Sequence, residues 1–403
     1  MDHLLIRDIE AALAWSGPSS TPSRFQRGSL PDPGICSRLL TPTRFLDLIM
    51  RRSLVSPQVR CFQDGSELHP SSLLQMNTTR RGQVIPMVDM RRLTQHLQSG
   101  CTLILDAANH FDPTLEVACR AFQWWSHAPV QVNVYLTTGD ASGFSLHWDD
   151  HDVLAVQLAG DKDWEVRGPS RRAPMYRDAA PNLDPPEDVV WSGTVKTGDV
   201  LHIPRGHWHR ANRTGRVSGF SLHATFGFAK RTGVDWLGWL ADQSRREGIF
   251  RDDLKRWGDP EELQTEGKAL IDAASCLITS HPPTHYLAAV AHATSTGRFV
   301  STAGVFGSPS AVVCVTDFPP RIETQGDTAT VTTAEKRIVF AGKALPALEL
   351  LLSGNPVRLD YVSTTAGIDG ERLGEVLVRE GICAELTPEL FSGYIGLTTD
   401  DKL

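Results

Sequence analysis

The chain has 403 residues, 41% of them hydrophobic, which exceeds one ordinary domain and suffices for two or three buried cores. Its formal net charge is -7 with a sequence pI near 6.1, so no global basic field exists to hold nucleic acid or an anionic membrane. Seven cysteines (Cys36, Cys61, Cys101, Cys119, Cys276, Cys314, Cys383) stand singly with no CxxC pair, which argues against a disulfide framework and a thiolate zinc site and for reduced thiols.

The N-terminal MDHLLIRDIEAALAW mixes Asp2, Asp8 and Glu10 with apolar residues and predicts an amphipathic helix, not a signal peptide. No apolar run approaches the roughly 20 residues that span a bilayer, so a soluble, cytoplasmic protein without a membrane partner is expected. Residues 17–34 are rich in Gly, Pro and Ser, lack any period and read as a connecting segment. PTRFLDLIMRR and MVDMRRLTQHLQ predict helices, TLILDA a short strand, and FDPTLEVACRAFQWW a further helix. Between about Val130 and Phe228 the character changes to short β-rich runs, QVNVYLTT, VLAVQLAG, WEVRG, DVLHIP and SLHATFGF. A small sandwich or barrel fits that spacing, and a jelly roll of the cupin type satisfies it, with alternate side chains of each strand pointing into an enclosed pocket. From Val234 to about Ser295 the period is helical again. The tail from Pro346 shows ALPALELLLSG, VRLDYVSTTAG and DGERLGEVLVREGICAEL, the pattern of a winged-helix module. Its four basic and ten acidic residues argue against direct DNA binding.

Chemistry concentrates in FSLHWDDHDVLAVQLAGDKDWEV, where His147 and Asp149 stand two residues apart. On an extended strand that spacing puts imidazole and carboxylate on one face, where they can share a metal. The histidine-rich turn GDVLHIPRGHWHRA follows about sixty residues later, and a return strand can bring His209 to the same ion. Two histidines and one carboxylate leave three open positions, which suits iron(II), a bidentate 2-oxo acid and dioxygen. An HxD pair alone also arises by chance.

The stretch NVYLTTGDASGFSLHWDDHDVLAVQLAGDKDWEV followed by GDVLHIPRGHWHRA resembles JmjC oxygenases of the ribosomal-oxygenase group, over roughly Gly100 to Gly227. That resemblance implies His147, Asp149 and His209 as iron ligands, the PRGxxHxA pattern selecting His209 over His207. The alternative for His202, His207, His151 and His223 is pocket lining or solvent contact. Lys162, thirteen residues after Asp149, falls where the group keeps a basic residue for the distal carboxylate of 2-oxoglutarate, and a partly buried ammonium needs such an anion. Its bland alternative is a surface lysine in the turn GDKD. Asn133 matches an asparagine lining the same pocket, where its amide can donate to the cosubstrate or order a ligand. Some related hydroxylases carry Thr three residues before the first ligand; here Phe144 stands there, and Ser145, Tyr135 or Ser221 must replace that contact. Asp150 and Trp148 flank the ligands as orienting or merely packing groups, and Trp124, Trp125, Trp164 and Trp208 are expected in cores.

The expected fold is α+β: a double-stranded β-helix (jelly-roll/cupin) JmjC core at 100–232, preceded by a helical and mixed extension at 1–99. A helical dimerisation region at 233–305 and a winged-helix-like domain at 306–403 follow. The resemblance implies that this helical region forms a dimer interface, where the apolar Trp236, Trp239, Leu240, Leu270 and Ile271 would meet a second copy. The activity that the resemblance implies is iron(II)-, 2-oxoglutarate- and O2-dependent hydroxylation of a side-chain carbon in a ribosomal protein or a ribosomally made peptide precursor, releasing succinate and CO2. Demethylation is less favoured. The rival readings are a non-catalytic cupin-fold metal-binding or regulatory protein and a small-molecule dioxygenase on the same fold.

Overall fold

A computed structural model describes residues 1–177, 182–216, 218–293, 297–333 and 336–398. The expected N-terminal helix is α1 (Leu4–Leu13), which buries Leu5, Ile6, Ile9 and Leu13 at helical spacing. Residues 17–34, expected only to connect, hold a strand, β1 (Gln26–Ser29), paired antiparallel with Asp199–Ile203. β1 lies at the sheet edge, and its side chains alternate between exposed and half-buried, so it carries no apolar period for a sequence reading to detect. A Cβ at Gly28 would collide with the Ala12 carbonyl, which shows how closely α1 lies on this strand.

Helices α2 (Ile35–Leu39) and α3 (Pro42–Arg51) follow, the latter started by Thr41, whose hydroxyl accepts from the Arg44 N–H at 3.2 Å, with Pro42 in the first turn. Strands β2 (Val59–Gln63) and β3 (Ser66–Glu67), a separate ribbon of β4 (Leu74–Thr78) and β5 (Val84–Val88), and α4 (Met90–Ser99) come next. The chain then enters β6 (Thr102–Leu105) and α5 (Pro113–Ser126), both in the expected places.

The remaining core strands are β7 (Val130–Thr138), β8 (Asp152–Pro169), β9 (Val189–Lys196), β10 (Asp199–Ile203), β11 (His207–Asn212) and β12 (Phe220–Phe228). VLAVQLAG and WEVRG, read as separate runs, are one 18-residue strand, β8. Its first half pairs with β10 and β12 in the sheet ordered β1-β10-β8-β12-β7-β6-β2-β3, and its second half pairs with β9 and β11. Gly160 marks the change of partners. Its φ is +67°, a Cβ there would collide with the Phe220 carbonyl, and the β8–β12 register slips just beyond, between Leu222 and His223.

The pleat divides the two faces of this sheet. On β7, Val130, Val132, Val134 and Leu136 enter the main core with Leu154, Val156, Phe226 and the helical Phe45 and Phe122. The residues between them, Gln131, Asn133 and Tyr135, line a cavity on the opposite face.

Beyond β12 the helical stretch consists of α6 (Gly233–Ser244), α7 (Pro260–Ser280) and α8 (Pro283–Ala293). Trp236 donates from Nε1 to the His281 carbonyl, and Trp239 packs on His281 and Tyr286. The C-terminal part has β13 (Ala311–Cys314), a meander of β14 (Arg321–Gln325), β15 (Thr328–Thr332) and β16 (Arg337–Ala341), then α9 (Leu345–Leu351), β17 (Val357–Arg358), α10 (Leu359–Ala366), α11 (Gly370–Arg379), β18 (Cys383–Glu385) and α12 (Pro388–Ser392). Val312, Leu348, Leu359 and Leu377 form its core, which Trp124 of α5 joins. Asp400, Asp401 and Lys402 of the acidic tail lie outside the described residues. Among the described residues no helix is long and apolar enough to cross a membrane.

Candidate metal centre

His147 and Asp149 are not on a strand, as their spacing suggested, but in the irregular segment between β7 and β8. The reason is that β11 supplies the missing order: His147 and His209 form an isolated antiparallel bridge, N–H of each to C=O of the other at 3.1 and 2.7 Å. A backbone pairing between two loop-proximal residues therefore brings the rings together, with centroids 4.3 Å apart.

Each ring is also oriented by its own chain. His147 Nδ1 lies 2.9 Å from the Ser145 carbonyl and His209 Nδ1 lies 3.0 Å from the His207 carbonyl. A carbonyl only accepts, so both Nδ1 atoms carry the proton and both Nε2 lone pairs remain for a metal. Asp149 Oδ2 stands 3.4 Å from His209 Nε2. One donor atom from each of His147, Asp149 and His209 lies within 4.8 Å of the other two, and no other such group occurs among the described residues. This set of two imidazoles and one carboxylate on one side of a point fits a divalent first-row metal that needs open positions.

Electrostatics prepare the same donors. Burial drives the His209 pKa down to about 4, with His147 adding to the effect, so the ring is neutral and its lone pair free at neutral pH. Burial works against the Asp149 carboxylate, but His209, His147, His151 and the Tyr176 hydroxyl outweigh it and hold its pKa below the ordinary value.

The three residues open into a cavity of about 330 Å³ that also contains Lys162, Asn133, Tyr135, Trp164 and His223. Lys162 is 2% exposed, so the alternative of a surface turn lysine fails; it follows the Gly160 corner and its Nζ donates to Thr137 Oγ1 at 2.9 Å. Burial, with Arg213 nearby, lowers its pKa to about 7. Asn133 accepts at Oδ1 from the Ala107 N–H at 2.9 Å, which leaves its amide N–H groups as the donors it can offer. Phe144 packs on Phe62, Tyr135 and His147 under the Arg60 guanidinium. Of the residues considered in place of its missing hydroxyl, Tyr135 lines the cavity, while Ser221 accepts from Gln157 Nε2 at 2.8 Å.

The other histidines separate. His151 lines the cavity beside Asp150, His223 stacks on Tyr135 at 4.6 Å, and His202 packs edge-on to Trp15. His207 is buried and contributes its carbonyl to His209. Trp124 and Trp208 are buried, and Trp164 is both buried and cavity-lining. Sequence reasoning missed Gln131, Arg60 and Tyr176. Extending the Asn133–Tyr135 alternation back by two residues finds Gln131; Arg60 and Tyr176 arrive from distant segments with no local signal. A second cavity of about 530 Å³ adjoins the first, sharing Gln131, His151 and Gly227 with it.

Residues 105–235 match the family model of the JmjC domain. The chain is similar to the bifunctional lysine-specific demethylase and histidyl-hydroxylase NO66 of Caenorhabditis briggsae, 28% identical over 212 residues that cover 51% of this chain and 25% of that protein. It is 33% identical over 132 residues to the protein of the same name from Drosophila persimilis, covering 32% of this chain and 19% of that one. The chain thus spans a quarter or less of the length of these relatives. Among solved structures, Escherichia coli ycfD superimposes with a TM-score of 0.54 at 18% identity, covering 90% of this chain and 94% of that one. A structure described as YcfD, a ribosomal oxygenase from Escherichia coli in complex with cobalt and 2-oxoglutarate, gives 0.52 at 17% identity, with the same coverage. At such identities the likeness establishes the fold.

Proposed function

Residues 105–235 being a JmjC domain, we propose that this chain is an iron(II)- and 2-oxoglutarate-dependent oxygenase that hydroxylates a side-chain carbon of a protein or peptide. One observation carries the reading: a single cavity is lined by the His147, Asp149 and His209 donors and by the buried amine of Lys162, which takes up a proton when an anion binds beside it. A metal alone needs no such group. A dicarboxylate chelating the metal at one end needs a partner for the other, and a desolvated ammonium is one.

In this reading His147 and His209 would hold iron(II) through Nε2 together with Asp149, Lys162 would pair with the distal carboxylate of 2-oxoglutarate, and Asn133 would donate from its amide. Iron(II) with 2-oxoglutarate and O2 supplies an oxidative decarboxylation to succinate and CO2 that places one oxygen atom in a C–H bond. The adjoining 530 Å³ cavity gives room for a side chain and its flanking backbone. The substrate reading draws further support from the relatives whose descriptions name a histidyl-hydroxylase and a ribosomal oxygenase. The test is capture from native lysate on iron-free protein loaded with 2-oxoglutarate, then mass spectrometry after iron and air are supplied. A captured polypeptide that gains one oxygen, with succinate formed in step, is expected; succinate formation with a small molecule and no polypeptide would sink the substrate class.

The wider organisation proposed is an extension at 1–99, the catalytic core at 100–232, a helical dimerisation region at 233–305 and a winged-helix-like domain at 306–403, in a cytoplasmic protein that does not bind DNA directly. The exposure of α7 supports the dimer: no residue of its 21 is buried, and Ile271 is 66% exposed and Ile278 46%. Trp236, Trp239 and Leu240, expected at that interface, are engaged within the chain, which leaves Ile271 and its neighbours for a second copy. Light scattering at micromolar concentration is expected to give twice the chain mass, and Ile271→Asp with Ile278→Asp to give the monomer. A wild-type monomer across that range would reject the dimer.

A further inference from the structure

Between β8 and β9, the described residues 170–177 and 182 lie over the residues that hold the metal donors. They are fastened at Ser170, whose Oγ accepts from Trp208 Nε1 at 2.7 Å, and at Pro174, whose carbonyl accepts from Arg205 Nε at 2.9 Å. They are fastened again at Asn182, whose carbonyl accepts from Trp148 Nε1 at 2.9 Å. Between these points Tyr176 lays its ring against Trp148, centroids 5.0 Å apart, and Trp148 is the residue between two of the donors. The strap is therefore docked on the donor turn itself.

From that position the Tyr176 hydroxyl donates to Asp149 Oδ1 at 3.1 Å; the Trp148 carbonyl, at 3.5 Å, is the longer alternative. A phenol has one proton and is un-ionised at neutral pH, so it gives one good hydrogen bond. Asp149 Oδ2, the oxygen facing His209 Nε2 at 3.4 Å, is left for the metal.

We infer that Tyr176 is a positioning residue that makes Asp149 a one-oxygen ligand by claiming its other oxygen; the inference rests on the iron-site reading above. The consequence lies in the coordination count. Two imidazole nitrogens and one carboxylate oxygen leave three positions of an octahedron, two for a bidentate 2-oxo acid and one for O2. A carboxylate free to swing and bind through both oxygens would consume one of the three. Hydrogen bonds to a ligating group typically change metal affinity by about 10- to 100-fold, which sets the scale for this hydroxyl.

Tyr176→Phe removes the hydroxyl and keeps the ring on Trp148. Trp148→Phe removes the Asn182 fastening and keeps the hydroxyl. Mn(II) serves as the probe for both: free Mn(II) measured by electron paramagnetic resonance gives the affinity, and water-proton relaxivity gives the number of waters on bound Mn(II). Wild type is expected to carry about three waters. Tyr176→Phe is expected to bind Mn(II) about tenfold more weakly and to carry about two waters, with Trp148→Phe close to wild type in both. Equal binding and water count in wild type and Tyr176→Phe would overturn the inference alone. An equal loss in the two variants would also overturn it, because the order of the strap and not the hydroxyl would then matter. Wild-type protein that binds no Mn(II) would remove the metal-site reading and this inference together.

Discussion

Purified protein is expected to bind iron(II) and to convert 2-oxoglutarate slowly to succinate even without substrate, and His147→Ala, Asp149→Ala and His209→Ala each to abolish both, while His207→Ala retains both. Three donors leave no redundancy, and loss of a ligand should exceed the roughly 10- to 100-fold penalty typical of losing only an outer hydrogen-bond partner. The contrast with His207 follows from which atoms act. His209 supplies Nε2, fixed by the bond from its Nδ1 to the His207 carbonyl, and alanine at 207 keeps that carbonyl. Its buried ring contributes packing, so His207→Ala should lower thermal stability without emptying the site. Iron is measured by emission spectroscopy after anaerobic loading, and succinate by mass spectrometry. Undiminished iron in any one of the three variants would remove that residue from the ligand set, and an equal loss in His207→Ala would make the His207 ring, and not that of His209, the ligand.

Lys162→Ala is expected to leave iron binding near wild type and to weaken 2-oxoglutarate by roughly 2–4 kcal/mol, about 30- to 1,000-fold, the order seen when one partner of a desolvated charge pair is stranded. Lys162→Met should do the same and fold at least as stably. A buried ammonium without its anion is costly, and an apolar side chain of similar length removes that cost. Arginine keeps the charge but brings a wider fork, so partial binding is expected if Thr137 and His223 make room.

The pH dependence separates this role from a structural one. Burial brings the pKa of Lys162 in the empty pocket down to about 7, so above pH 7 the amine is mostly neutral, and binding a dianion draws a proton back onto it. Wild-type affinity for 2-oxoglutarate should therefore fall with rising pH, by up to about tenfold per unit above 7, and Lys162→Ala should be flat from pH 7 to 9. His223, facing the same cavity, is held well below its ordinary pKa and stays neutral over this range. For folding, the sign is opposite. The folded protein holds fewer protons on this lysine than the unfolded chain between about pH 7 and 10, so this group alone makes ligand-free stability rise with pH across that window, and Lys162→Met should lose that rise. Calorimetric titration of 2-oxoglutarate with the iron site loaded with Mn(II) reads the affinity. Unchanged affinity in the alanine variant would leave Asn133 and Tyr135 as the candidates for the carboxylate partner.

What the sequence determined by itself was whatever local periodicity encodes. Strand β7 and the helices α1, α3 and α11 were legible because each buries one face against the rest of the chain, which forces a period of two or of about 3.6 on its apolar residues, whereas β6, β10 and β12, buried at nearly every position, were legible as short continuous apolar runs. The HxD pair was legible as residue types at a strand spacing, while His209 and Lys162 were singled out by the resemblance to JmjC oxygenases. Tertiary structure decided what local period cannot carry. β1 is an edge strand with no apolar alternation, and it is a strand because β10 offers it hydrogen bonds. β8 is one strand, since Gly160 can take a φ that lets the chain turn a corner and exchange partners without ending. His147 and Asp149 lie on irregular backbone, held in register by a bridge to His209 some sixty residues away. Tyr176 reaches Asp149 from a strap whose own sequence has no apolar pattern, and only the fold, by returning that strap across Trp148, brings its hydroxyl to the carboxylate. In each case the missing information is a contact between distant segments, whose free energy comes from hydrogen bonds and burial made with the rest of the chain.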